Sequence, residues 1–153
     1  MPHIHEKIDF TVEVFIVYKD KVLLRMHDKL KIWLGPGGHI ELSEDPVEAA
    51  LREVKEEVGL TVELVGGMRI GSGHDDLLPP VAINRHHITP RHEHISFIYF
   101  AMSKNDVINP EHEEDRSDEC RWCTQKDLLA MDMLPNTRCY ALAALARLGG
   151  ERK

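Results

Sequence analysis

The segment from Asp45 to Gly59 constrains the fold most strongly, because it carries the signals of a complete amphipathic helix. Asp45 is a favoured N-cap residue, Pro46 suits the first helical position, and Glu48 would complete a capping box. Gly59 supplies the left-handed residue that ends many helices, and Leu60 is placed for the apolar contact that often follows. Apolar residues recur at helical spacing along the segment: Val47, Leu51, Val54 and Val58. The pattern predicts a helix with one apolar stripe facing a core.

The same helix carries a group of acidic residues away from that stripe. Glu53, Glu56 and Glu57 stand at i, i+3 and i+4, so their side chains share one face. Their charges repel each other and lie in the last turns, where the helix dipole disfavours negative charge. A hard divalent cation such as Mg²⁺ would remove this penalty, because it prefers oxygen ligands. A solvated charged face is the alternative interpretation, and Arg52 could hold Glu56 by an ion pair in either case.

The rest of the chain predicts several strands and two further helices. Segments rich in β-branched, aromatic or other apolar residues indicate strands at Thr11 to Tyr18, Lys21 to Met26, Thr61 to Val65, Ile95 to Met102, and Cys120 to Cys123. A turn is expected at 19–20, a glycine-rich loop at 35–38 and an irregular segment at 71–91. Thr124 with Asp127 would cap a short helix, and Leu134 to Leu148 would form a final one. We expect one α/β domain over residues 1–153, with helices on both sides of a mixed sheet.

Composition and charge narrow the classes of function. Acidic residues outnumber basic ones by 26 to 19, for a formal net charge of −7, which argues against broad electrostatic binding of nucleic acid. The apolar runs are too short for a membrane span, and the first residues lack the apolar core of a signal peptide. We therefore expect a cytoplasmic protein. Cys120 and Cys123 form a C-x-x-C pair without a second ligand pair, so partly buried strand residues are favoured over zinc or redox chemistry.

The loop before the helix completes a longer motif. From Gly38 through Glu44 to Arg52-Glu53-Val54-Lys55-Glu56-Glu57-Val58-Gly59-Leu60, the sequence matches G-x5-E-x7-R-E-U-x-E-E-x-G-U, where U is aliphatic. This pattern resembles the Nudix box at every specified position, and the predicted loop–helix context agrees with it. Ser43 stands where many members of that family have glycine, at an unspecified position. The motif covers residues 38–60 only.

The resemblance implies an α/β/α sandwich and hydrolysis of a nucleoside diphosphate linked to another group. By position, Glu53 and Glu57 would be the main metal ligands, and Glu56 a third ligand or a group that orients water. Glu44 would support these ligands, and Gly37 and Gly38 would let the backbone approach the metal closely. Mg²⁺, or Mn²⁺ in its place, would neutralise the pyrophosphate and lower the pKa of a bound water.

Several glutamates are candidates for the general base. Family members use either a box glutamate or one outside the box, so Glu56 is the first candidate, with Arg52 also placed in the catalytic group. Glu93 and Glu119 are weaker candidates, because glutamates at such positions are more often surface carboxylates without a catalytic role.

Further residues are candidates for substrate binding. Arg25 precedes the box on a predicted strand and could reach a substrate phosphate. The cluster His86-His87, Arg91, His92 and His94 follows the long irregular segment. His87 and His94 are candidate ligands for phosphate or base, whereas exposed polar residues are the simpler interpretation and a second metal site the weakest.

The substrate itself is not specified by the box. A nucleoside triphosphate or another small nucleotide is favoured, because the chain is short and carries no appended domain. The alternatives are a non-catalytic Nudix module that senses a nucleotide or binds a partner, and an RNA-end decapping enzyme. A homodimer through an exposed edge strand is left open.

Overall fold

The strand that runs from Ile8 to Tyr18 lies at the centre of the computed structural model, which describes residues 7–71, 75–111 and 119–150. The strands are β1 Ile8–Tyr18, β2 Lys21–Met26, β3 Trp33–Leu34, β4 Gly37–His39, β5 Val62–Val65, β6 Ala82–Thr89, β7 His92–Ser103 and β8 Cys120–Cys123. The helices are α1 Pro46–Val58, α2 Gln125–Ala130 and α3 Pro135–Leu148. None of the helices α1 to α3 in the described residues combines the length and the apolar character that a membrane span requires.

One mixed sheet joins these strands. The main path runs β3-β2-β1-β7-β5, with β4 paired to β1, β6 to β7 and β8 to β2. β1 and β7 run parallel, from Ile8 opposite Glu93 to Val17 opposite Met102. The other pairings between described strands are antiparallel. The α/β class expected from the sequence is confirmed.

Alternate residues of β1 divide the core into two layers, because successive side chains of a strand point to opposite faces. Val12, Val14 and Ile16 pack in the cluster that contains the apolar residues of α1. Phe15 and Val17 pack in the second cluster, with the alanines of α3. The Phe15 and Tyr140 rings, with centroids 5.7 Å apart, join β1 to α3. Helices therefore cover both faces, as predicted.

The central helix forms where its capping signals predict. The Asp45 carboxylate accepts hydrogen bonds from the Val47 and Glu48 backbone N–H groups, and Gly59 adopts φ 71° at the C-terminus. A Cβ at Gly59 would overlap the Asn109 carbonyl as well. The predicted stripe was wrong at Leu51, which is 41% exposed, whereas Ala49 and Ala50 are fully buried. These alanines face the sheet because a small side chain lets the helix lie close to β1.

Two other local expectations were also wrong. The segment expected to be irregular contains β6, a strand whose exposed, histidine-rich face hides the usual alternation. Gly37 and Gly38 belong to β4 and pair with Glu13 and Val12, so they form a short strand rather than a free loop. The predicted strand at Cys120 to Cys123 is confirmed, and neither of its two cysteines forms a disulfide. They pack in different core clusters on opposite faces, which is inconsistent with joint metal binding.

The Asp45 cap offers a direct test of how α1 is held. We expect Asp45→Ala to lower the free energy of unfolding by about 1 kcal/mol, because two helical N–H groups lose their acceptor. Asp45→Asn keeps an acceptor oxygen and is the matched control. Urea unfolding measures both variants, and equal losses in the two would contradict a hydrogen-bonding role for this residue.

Candidate active site

A cavity of about 510 Å³ lies beside the box residues. Glu57 of α1, Gly37 and Gly38 of β4, and Arg25 of β2 contribute one side of it. Histidines of β4, β6 and β7 contribute another, and residues near the start of α3 a third. Side chains from distant parts of the sequence thus meet around one space.

Arg52 ties the box glutamates together. Its Nε and Nη2 atoms donate to the two Glu44 oxygens at 2.6 and 3.0 Å. Its Nη1 atom donates to Glu53 at 2.9 Å and to Glu56 at 3.2 Å, and Nη2 also donates to the His39 carbonyl at 2.9 Å. One guanidinium therefore holds three carboxylates and the end of β4, since its fork of donors suits several acceptors at once.

Glu57 is held by different donors. Its Oε2 accepts a hydrogen bond from the Gly37 N–H at 3.0 Å, and its Oε1 accepts one from Arg25 Nη1 at 2.9 Å. The Arg25 and Glu57 side chains are only 12% and 14% exposed, so this ion pair is shielded from water. Arg25, predicted to bind substrate, therefore also contacts a predicted metal ligand.

The space for Glu53 exists because Gly38 has no side chain. A Cβ at Gly38 would overlap the Glu53 carboxylate. The glycine therefore allows a buried acidic group to lie directly against the β4 backbone. Gly38 pairs with Val12, whose side chain faces α1, so the glutamate and the glycine share one face of the sheet.

The electrostatics of these carboxylates differ. Burial raises the pKa of Glu53, and the nearby charges of Glu56 and Glu44 act in the same direction against the opposing effect of Arg52. Hydrogen bonds from Arg52 lower the pKa of Glu44. A cation beside Glu53 would favour its ionised form, because an opposite charge offsets the cost of burial.

The box carboxylates are not gathered around one point. Among the described residues, the side chains that bring three ligand atoms within 4.8 Å of one another are Asp9, His92 and His94, not the glutamates of α1. Glu53, Glu56 and Glu57 point instead to Arg52, Arg25 and the Gly37 N–H. They share one side of the helix, and joint coordination of a cation requires rotation of their side chains.

The candidate bases outside the box lie elsewhere. Glu93 is 5% exposed and pairs with Arg85 and with His87 Nδ1, the latter at 3.4 Å. The Arg85 hydrogen bond lowers the pKa of Glu93, which weakens it as a base. Glu93 and His94 are successive residues of β7 and point to opposite faces. Glu119 is exposed and directly precedes β8.

The predicted substrate-binding histidines differ in their surroundings. Both line the cavity, but the His87 side chain is 70% exposed, whereas His94 stacks edge-on against three other imidazoles. Burial and the charges of neighbouring histidines lower the pKa of His94 to about 4. His94 is therefore neutral at neutral pH.

Sequence reasoning missed Asp9 and Glu13 on β1. Asp9 is 4% exposed, and its Oδ2 lies 3.0 Å from His92 Nε2 and 3.4 Å from His39 Nε2. Glu13 lines the cavity, and its Oε1 accepts a hydrogen bond from the Gly35 N–H at 2.9 Å. Burial raises the pKa of Glu13 to about 7 against the opposing effect of that hydrogen bond. The sequence did offer one signal for these residues, namely acidic residues that interrupt the apolar residues of a central strand.

The raised pKa of Glu13 predicts a pH-dependent stability. The unfolded chain ionises this group near pH 4.5 and the folded chain near pH 7, so the Glu13 contribution becomes destabilising across that window. Glu13→Gln removes the ionisation but keeps an acceptor for the Gly35 N–H. We expect the variant to gain about 1–3 kcal/mol over the parent between pH 4.5 and pH 8. Thermal unfolding at both pH values measures this gain, and a constant difference would contradict it.

Known proteins resemble this chain in sequence and in fold. The NUDIX domain family model matches residues 9–143. A NUDIX-family hydrolase from Clostridium perfringens is 39% identical, with a TM-score of 0.83 over 92% of this chain and 97% of that chain. A C. elegans Ap4A hydrolase shares the fold at 20% identity, with a TM-score of 0.67 over 92% of this chain and 97% of that chain.

Curated proteins match over shorter stretches. The m7GpppN-mRNA hydrolase NUDT17 of Xenopus laevis is 38% identical over 53% of this chain and 30% of its own length. A probable DHNTP pyrophosphohydrolase of Lactococcus lactis is 29% identical over 63% of this chain and 55% of its length. The phosphatase NudJ of Escherichia coli is 27% identical over 71% of this chain and 66% of its length. This chain thus covers less than two thirds of each. The family model nonetheless spans most of the chain, and the C. perfringens structure aligns over nearly its whole length, so this chain belongs to the Nudix hydrolase family.

Proposed function

We propose that this chain hydrolyses a phosphoanhydride bond in a nucleoside diphosphate linked to another group, using Mg²⁺ or Mn²⁺ held by glutamates of α1. The observation that carries the proposal is the placement of Glu53 against Gly38, and of Glu57 against the Gly37 N–H. Gly37, Gly38 and Glu57 line a cavity of about 510 Å³. A cavity of this volume is in the range of sites for small molecules.

The residues present fit a hard cation. Glu53, Glu56 and Glu57 offer carboxylate oxygens, the ligand type that Mg²⁺ prefers, and the missing Gly38 side chain leaves room beside Glu53. The raised pKa of Glu53 indicates that this buried group is short of positive charge. When bound, the cation would polarise the phosphate and activate a water.

The protein side chains have separate tasks in this proposal. Arg52 fixes Glu53 and Glu56 relative to Glu44 and β4. Glu56, 33% exposed and thus the most accessible of the three, would accept the proton of the attacking water. Arg25, held by Glu57 at the cavity, would contact a substrate phosphate, and His87 and His94 would contact the rest of the nucleotide.

The substrate is proposed as a small nucleotide. The net charge of −7 disfavours a long nucleic acid, and NudJ and the DHNTP pyrophosphohydrolase are similar to this chain over more than half of it. The similarity to NUDT17 makes a capped dinucleotide a necessary member of any substrate panel. A cytoplasmic location and a homodimer stay predictions from the sequence.

Glutamate-to-glutamine variants test the metal ligands. We expect Glu53→Gln and Glu57→Gln each to lower kcat/KM for a nucleotide substrate by at least about 100-fold, because a charged ligand is lost. Glu63→Gln, at an exposed position of β5, is the matched control and should stay close to the parent. The readout is phosphate and pyrophosphate release over a panel of nucleoside triphosphates, dinucleotides and a capped dinucleotide, with Mg²⁺, Mn²⁺ or chelator. Full Mg²⁺-dependent activity in both box variants would refute the assignment.

A second set of variants locates the general base. Glu56→Gln should lower kcat by roughly 10²–10⁴ with a smaller change in KM, as expected for loss of proton transfer. Single-turnover rates at several pH values separate this loss from slow product release. If Glu93→Gln or Glu119→Gln instead shows a kcat loss of this size while Glu56→Gln is unaffected, the role of general base belongs to that other glutamate.

A further inference from the structure

Four histidines and one aspartate meet on the face of the sheet that carries α3, away from the box glutamates. Asp9 of β1 lies opposite His94 of β7, which lies opposite His86 of β6. His39 of β4 pairs with Thr11, two residues along β1 from Asp9. His92 precedes His94 by two residues, so alternation places all five side chains on one face.

The histidine cluster, defined as Asp9, His39, His86, His92 and His94, contains ligand atoms at spacings that a cation can bridge. A tetrahedral zinc site with bonds of about 2.0–2.1 Å places neighbouring ligand atoms about 3.3 Å apart. Asp9 Oδ2 lies 3.0 Å from His92 Nε2 and 3.4 Å from His39 Nε2. The His94 ring lies edge-on to the His39 and His92 rings, with centroids 5.0 and 5.2 Å away. Ligand atoms of Asp9, His92 and His94 already lie within 4.8 Å of one another.

The chemistry of the cluster favours a borderline cation. Asp9, which is only 4% exposed, supplies a carboxylate, and the histidines supply nitrogen ligands. Imidazole nitrogen suits Zn²⁺ and its neighbours in the first transition row, whereas Mg²⁺ prefers oxygen.

We propose that Asp9, His92 and His94 bind a zinc-class divalent cation, with His39 as the fourth ligand. The site is separate from the proposed magnesium site and does not depend on the proposed hydrolysis. His39 and His94 both line the cavity, so the ion would lie in its wall. There it would add positive charge beside an anionic substrate, and His94 would act on that substrate through the ion instead of by direct contact.

His86 is placed to support this site without binding the ion. Its Nδ1 lies 2.8 Å from Asn84 Oδ1, and its ring stacks on His94 with centroids 5.7 Å apart. Such contacts fix the orientation of a ligating imidazole, since groups around the ligands commonly set their rotamers.

Metal binding by the whole chain tests the proposal without any activity readout. Protein freed of metal with chelator is titrated with Zn²⁺ by calorimetry, and with Co²⁺ by visible absorption, which reports tetrahedral coordination. We expect one Zn²⁺ per chain and a tetrahedral Co²⁺ spectrum. His94→Ala and His92→Gln should each weaken Zn²⁺ binding by more than about 100-fold, the upper range for groups that only orient ligands.

Matched controls separate this site from other metal binding. His87→Asn removes a histidine whose side chain is 70% exposed and which pairs with Glu93 on the other face, so it should keep the parent affinity. Glu53→Gln with Glu57→Gln should keep the Zn²⁺ site while losing Mg²⁺ binding, which distinguishes failure of this proposal from failure of the proposed function.

Three outcomes would overturn the proposal: no Zn²⁺ uptake at micromolar concentration, uptake unchanged in His94→Ala, or uptake lost in the double glutamate variant. Unfolding temperatures of the metal-free variants show whether each is folded. If His94→Ala fails to fold, His92→Gln and Asp9→Asn provide the same test.

Discussion

The parallel pairing of β1 with β7 is the constraint on which the rest of the structure depends. It joins Ile8–Val17 to Glu93–Met102, residues far apart in sequence, and fixes the register of the two most buried strands. Because side chains alternate along both strands, one register sets the apolar layer beneath α1 and the second layer beneath α3. The same register places Asp9 beside His94 and lets the Thr11 hydroxyl donate to Ser96 Oγ at 3.0 Å.

Local charge, rather than net charge, organises the candidate active site. The chain carries a formal charge of −7, yet Arg52 and Arg25 are embedded among its acidic groups and hold four glutamates in place. Each arginine offsets the repulsion that three carboxylates on one helical face would otherwise create. The ion pairs with Arg52 and Arg25 keep the carboxylates apart in this structure. Cation binding would therefore exchange some arginine contacts for metal contacts, without adding an entirely new set.

Features set by residues within one turn, such as helix caps, could be predicted from the sequence. Features set by the pairing of distant strands could not. The caps of α1 and α2 follow from residues within one turn, so Asp45, Gly59 and Thr124 were correctly placed. The apolar stripe predicted for α1 was wrong at Leu51, because the burial of Ala49 and Ala50 depends on how α1 packs against β1. β6 was missed because a mostly exposed, histidine-rich edge strand lacks apolar alternation. Strand pairing brings Glu13 and His39 to the cavity and Asp9 to the histidines of β7, and no local pattern in the sequence reveals these placements.

The three-residue strand β4 separates two different chemical surroundings. In β4, Gly38 faces the acidic helix and the next residue, His39, faces the opposite side of the sheet, while its carbonyl is bound by Arg52. Inserting or deleting one residue here would exchange the two faces, sending an imidazole toward Glu53 and removing it from Asp9. A substitution at residue 39 therefore alters the histidine side of the sheet alone, whereas a change in the length of this strand disturbs both surroundings together.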